Sequence, residues 1–133
     1  MQLMPGTGRQ TARELSMPYR GIATLTDSQQ NIRLGTHYLG KMRARFADNA
    51  VLATAAYNAG PMRVEEWLPS SGSIDARIWI ENIPFNETRS YVRRVLSDEV
   101  IFQSRLTQSI NRISARLVAV NSRDDVAIAR SSD

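Results

Sequence analysis

Apolar residues along this chain recur at helical spacing, and alternation of the kind a half-buried strand requires never extends beyond about five positions. Thr7 has the type of a helix cap, and a short helix is predicted over 8–15, after an irregular start at Pro5-Gly6. Met17-Pro18-Tyr19-Arg20-Gly21 reads as a loop. Asp27 followed by Gln30 has capping-box spacing. The helix it opens, 28–46, places Ile32, Gly35, Leu39, Met42 and Phe46 on one stripe. Asn49 is positioned to cap a helix over 50–58 that is charge-free and apolar all round, the pattern of a buried helix. Gly60 is the expected terminator, and Pro61 can open a further helix through Leu68. Residues 69–73 form a Pro/Ser/Gly loop, and a short helix is expected over 74–81. Pro84 then breaks the chain, and Asn86 is expected to cap a long helix starting at Glu87. The pattern predicts an all-α fold.

Beyond Arg105 the pattern changes. Leu106, Ile110, Ile113, Leu117 and Val120 step by 4, 3, 4 and 3, a heptad seam with Arg112, Arg116 and Arg123 off it. Two readings are open: the long helix continues and packs on its own domain, or Leu106, Ile110, Ile113 and Leu117 form a short self-association contact. Residues 121–133 read as polar and frayed.

Composition narrows the function classes. The 133 residues contain 42% hydrophobic positions, enough for one core. Seventeen Lys+Arg against 13 Asp+Glu give a formal charge of +4, a balance that favours polyanionic surroundings without choosing among them. There is no cysteine, which excludes disulfides and thiolate chemistry, and His37 alone cannot make a multi-histidine metal site. No apolar run reaches the ~20 residues of a membrane span, and Met1-Gln2-Leu3-Met4-Pro5 does not have the form of a signal peptide. No metal or organic cofactor is implied.

The stretch AAYNAGPMRV at 55–64 sets a phenol and a carboxamide at the end of the apolar helix. Together with MQLMPGT at 1–7 and IPFNETRSYVRRVL at 83–96 it resembles the catalytic domain of soluble lytic transglycosylases, lysozyme-like enzymes of the bacterial envelope. The resemblance covers roughly 1–102. It implies a lysozyme-like helical domain, incomplete, over 1–104, with a C-terminal helical extension and polar tail over 105–133. It implies peptidoglycan glycan strands as the partner and the periplasm or cell envelope as the location. Tyr57 and Asn58 would face the sugar cleft, where a phenol can stack and hydrogen-bond and a carboxamide can donate and accept. Glu87 and Tyr91 would line the same cleft, and Gln2 falls on the family's glutamine. Without the resemblance, Tyr57 reads as a core aromatic with its hydroxyl satisfied, and Glu87 as an acid complementing a helix N-terminus.

Members of that family cleave the link between N-acetylmuramic acid and N-acetylglucosamine without hydrolysis. One glutamic acid, followed by Ser, protonates the leaving oxygen and then, as base, activates the muramoyl 6-hydroxyl to close a 1,6-anhydro ring. Such an acid needs a raised pKa. None of the 13 acidic residues here stands in the matching context, so the chain is expected to be truncated before that glutamate and no catalytic residue is assigned. A peptidoglycan-binding module without turnover is the alternative. A basic helical protein acting through Arg105, Arg112, Arg116 and Arg123 is the second, and no nucleic-acid-binding motif accompanies it.

Overall fold

The computed structural model describes residues 3–131. Its regular structure is helical, apart from one two-stranded antiparallel ladder among the described residues that pairs Ser73 with Asn121 and Ile74 with Val120. Two compact units divide the chain, Met1–Lys41 and Met42–Asp133.

In the first unit, helix α1 spans Pro5–Glu14 and helix α2 spans Ile22–Thr26. Pro5 does not break structure; it occupies the first helical turn of α1, where its missing N–H costs nothing, so Thr7 lies inside the helix and caps nothing. The loop expected at 17–21 is present, but α2 follows it unannounced. Gly21 turns into α2 at φ +66°, and the Arg20 N–H is taken up by Thr24 Oγ1 at 2.8 Å. Gly8 packs closely: a Cβ there would stand 2.8 Å from Leu25 Cδ2 and 3.4 Å from the Tyr19 ring. Helix α3 runs Ser28–Arg45, crossing the boundary between the units. Half of the expected capping box forms, with Gln30 N–H donating to Asp27 Oδ1 at 2.9 Å. Gly35, Met42 and Phe46 of the expected α3 stripe are buried and Leu39 is half-buried, but Ile32 is 59% exposed and the fully buried Leu34 widens the stripe on its other edge. Met4, just ahead of α1, is 74% exposed. His37 and Lys41 both reach Glu14, at 3.2 and 2.5 Å, and the Lys41 contact, with help from His37, holds the Glu14 carboxyl below its ordinary range.

The second unit is built around helix α4, Ala50–Ala59, in which Val51 to Ala56 are all buried. Asn49 caps it as predicted, its Oδ1 accepting from Val51 N and Leu52 N at 3.0 and 3.2 Å. Helix α5, Pro61–Glu66, and helix α7, Asn86–Thr107, pack against α4. Between them lies helix α6, Ala76–Glu81, capped by Asp75. That Asp75 also forks onto Arg77, which lowers its pKa to about 2. Asn86 is the first residue of α7, not its cap; Phe85 takes the cap position with extended backbone and no side-chain bond. No helix among the described residues is long and apolar enough to cross a membrane.

The heptad seam does not become a continuous helix. Gln108 is left-handed at φ +50°, and α7 stops at Thr107. The cause is a cluster of short polar side chains that offer the backbone other partners. Thr107 Oγ1 donates to the Gln103 carbonyl at 2.8 Å and lies 2.6 Å from Ser109 Oγ. Ser104 Oγ accepts the Asn111 N–H at 3.0 Å. Leu106 and Ile110 therefore stand 83% and 93% exposed, while Ile113 and Leu117 bracket a separate 3₁₀ turn, Ile113–Arg116 and its cap. The tail then returns to its own unit. Val120 is fully buried, the Asn49 amide donates to the Ala119 carbonyl at 3.1 Å, and Ser122 N–H donates to Gly72 O at 2.8 Å. The stretch read as frayed contains helix α8, Arg123–Ser131.

Candidate functional site

Helix α4 ends because Gly60 adopts φ +91°, ψ 145°, a conformation essentially reserved for glycine. Tyr57 and Asn58 occupy its last turn, where the all-apolar helix emerges from the core: Ala56 is fully buried, and the next four residues are only half-buried. The Tyr57 phenol oxygen is tucked inward.

The decisive contact joins this end of α4 to the first turn of α7. Thr88 Oγ1 donates to Asn58 Oδ1 at 2.7 Å, and Thr88 is itself buried. With its oxygen committed to Thr88, the Asn58 carboxamide retains two N–H donors, which have no protein acceptor among the described residues. Glu87 and Tyr91, four residues apart, share the face of α7 next to the one Thr88 turns towards α4. Glu87 is exposed and sits in the first turn, where its charge also complements the helix dipole. Tyr91 is half-buried; burial raises its phenol pKa and Arg94 partly opposes the shift, so the hydroxyl stays protonated across the physiological range. The Asn58 carboxamide and the Tyr91 ring are half-buried and the Glu87 carboxylate is exposed, on two helices joined by the Thr88–Asn58 bond, while the Tyr57 hydroxyl points into the interior. Gln2 lies outside the described residues.

Thr88 was not singled out from the sequence. The available signal was a hydroxyl on the inward face of a helix whose partner offers a lone amide at the contact. Arg89 works on the frame: its guanidinium donates from Nε and Nη2 to the Ile83 carbonyl, at 3.3 and 2.9 Å, pinning the turn that precedes α7. A cavity of about 350 Å³ lies elsewhere in the unit, floored by Ile80, Leu96, Ile113 and Leu117 and rimmed by an Arg93–Glu81 ion pair, and it includes none of the candidate residues.

The profile of the Transglycosylase SLT domain matches residues 1–80 of this sequence, more than half of the chain. The chain belongs to the soluble lytic transglycosylase family. A second profile, the soluble lytic transglycosylase helical domain, matches residues 82–110. The soluble lytic murein transglycosylase of Salmonella typhimurium is 47% identical over 105 residues, covering 77% of this chain and 16% of that protein. Its counterpart from Escherichia coli K12 is 45% identical over the same length, with the same coverage. Among solved structures, an inactive mutant of the Pseudomonas aeruginosa lytic transglycosylase Slt superposes with a TM-score of 0.77 at 46% identity, covering 85% of this chain and 18% of that one. The 70-kDa soluble lytic transglycosylase of E. coli gives 0.74 at 42% identity, covering 83% and 18%; a complex of the 70-kDa soluble lytic transglycosylase with bulgecin A gives 0.73 at 34%, covering 84% and 19%. The chain therefore spans less than a fifth of the length of these relatives. The fold, lysozyme-like and helical, is that of the transglycosylase domain in these neighbours.

Proposed function

We propose that this chain supplies the substrate-holding wall of a peptidoglycan lytic transglycosylase. Tyr57 and Asn58 at the end of α4, with Glu87 and Tyr91 on α7, hold an amino-sugar strand; Gln2 joins them on the strength of its place in the first motif. The observation that carries the reading is the Thr88–Asn58 hydrogen bond, which fixes the carboxamide between the two helices and leaves its N–H groups for an acetamido or hydroxyl oxygen. Tyr57 and Tyr91 add aromatic faces of the kind that pack against sugar rings.

The reaction of the complete enzyme is the non-hydrolytic one. A protonated carboxyl gives its proton to the glycosidic oxygen as the C1–O bond breaks. The carboxylate left behind takes the proton of the muramoyl 6-hydroxyl, whose oxygen closes on C1. No carboxylate in this chain is assigned that role, and strand retention, not turnover, is the activity proposed for the chain. A periplasmic or envelope location follows from this substrate. The basic-protein alternative loses ground because two of its four arginines are engaged within the fold: Arg116 pairs with Glu99 at 2.8 Å, and Arg123 donates to the Glu65 carbonyl at 2.9 Å.

Sedimentation with purified sacculi tests the reading. Wild type is expected to co-sediment and to release no anhydro-muropeptides. Asn58→Ala, which removes both N–H donors, is expected to lower retention about tenfold, the loss of roughly one well-made hydrogen bond. Release of anhydro-muropeptides by the purified chain would contradict the absence of the acid, and equal retention of wild type and Asn58→Ala would contradict the site.

A further inference from the structure

The strongest feature outside the proposed wall is an arginine placed over an aromatic platform. The guanidinium carbon of Arg63, on α5, lies 4.9 Å from the centroid of the Phe85 ring. Phe85 in turn meets Trp67 edge to face, with centroids 5.3 Å apart and planes at 86°. The platform is held in place: Trp79 Nε1 donates to the Trp67 carbonyl at 3.0 Å, and Arg89 ties down Ile83, two residues before Phe85. Phe85 nonetheless remains 40% exposed, and Arg63 is exposed too. Among the described residues no carboxylate pairs with Arg63. Stacking uses the face of a guanidinium and leaves its in-plane N–H fork open to a planar acceptor, and that fork matches a carboxylate.

Its position relative to the wall is set by the chain. Phe85 stands two residues ahead of Glu87, and Arg63 lies just beyond the Gly60-Pro61 corner that ends the Tyr57–Asn58 turn. A charged reader is thus placed beside, not within, the sugar contacts. Peptidoglycan strands carry peptide stems on the muramoyl residues. In a stem-bearing strand the lactyl carboxyl is consumed in the amide bond to the stem, so the free carboxylates belong to the stem itself. We propose that Arg63, held over the Phe85 ring, is a specificity-determining residue that binds a stem-peptide carboxylate. The inference rests on the glycan-wall reading above and adds a preference for substituted strands to it.

The test compares three soluble probes by fluorescence anisotropy: stem-bearing glycan strands, the same strands after amidase removal of the stems, and uncharged N-acetylglucosamine oligomers. Arg63→Gln is expected to weaken binding of the stem-bearing strand about tenfold and of the other two less than twofold. Arg63→Lys, which keeps the charge without the fork, is expected to fall between. The readout is the ratio of stem-bearing to uncharged affinity, which a general loss of fold would leave unchanged. An unchanged ratio in Arg63→Gln overturns the inference and leaves the wall standing; so does an equal loss on amidase-treated strands, which would assign Arg63 to the lactyl carboxylate. Failure of wild type to bind any of the three removes the wall, and this inference with it.

Discussion

Helix α4 and the segment after Thr107 are both rich in aliphatic residues, yet they meet opposite fates. In α4 every local signal agrees: Asn49 caps, six consecutive residues are buried, and Gly60-Pro61 closes the element. In the C-terminal segment the heptad spacing argues for one long helix, while Thr107, Ser109 and Asn111 argue locally against it, and the local argument prevails. Consistency between levels is what makes a stretch of sequence specify its structure. The tail is secured instead by a few tertiary contacts, chiefly the burial of Val120 and the bond from Asn49 to Ala119.

The largest expected contrast is between two leucines. Leu52 is fully buried and Leu106 is 83% exposed. Leu52→Ala is predicted to cost about 2–5 kcal/mol in a denaturant melt, and Leu106→Ala no more than about 0.5 kcal/mol. Similar costs would mean that the α7 end is covered in solution and would revive self-association. Val120→Ala comes next, at about 2 kcal/mol, because two buried methyls are removed; a neutral result would detach the tail from the unit. Asn49 bears on both regions. Asn49→Ala is predicted to lose about 1 kcal/mol as a lost cap, whereas Asn49→Asp keeps the cap and forfeits only the donor to Ala119, at about half that. Unequal effects in the reverse order would assign the residue to the tail.

The smallest expected effect concerns acid. Asp75 has a folded pKa of about 2 against an ordinary 3.8. Because the folded value is depressed, its contribution is complete above about pH 4 and is lost as pH falls towards 2. The melting temperatures of wild type and Asp75→Asn should therefore converge over that window. Curves that stay parallel would show that Asp75 and Arg77 do not interact in solution.

Much of the fold was legible for the reasons α4 exemplifies. The helical class, the caps at Asn49 and Asp27, the Gly60 corner and the break at Pro84 all rest on backbone chemistry within a few residues. The misreadings were tertiary or positional. Pro5 opens a helix instead of breaking one, and on α3 only the N-terminal end of the stripe differs, with Leu34 buried and Ile32 exposed, because the helical period alone does not fix how far an apolar face extends at its end. The candidate residues at 57, 58, 87 and 91 were found through motif resemblance. The Thr88 bridge that connects them was not, since a hydrogen bond between positions 30 apart leaves no periodic trace.

The most direct test of the central claim is a ¹H–¹⁵N NMR titration of the chain with an N-acetylated amino-sugar oligomer derived from peptidoglycan. The account predicts shifts concentrated at Tyr57–Gly60, the Asn58 side-chain amide, and Glu87–Tyr91, with residues 105–131 unmoved. Shifts confined to that C-terminal segment, with the Asn58 amide silent, would contradict it.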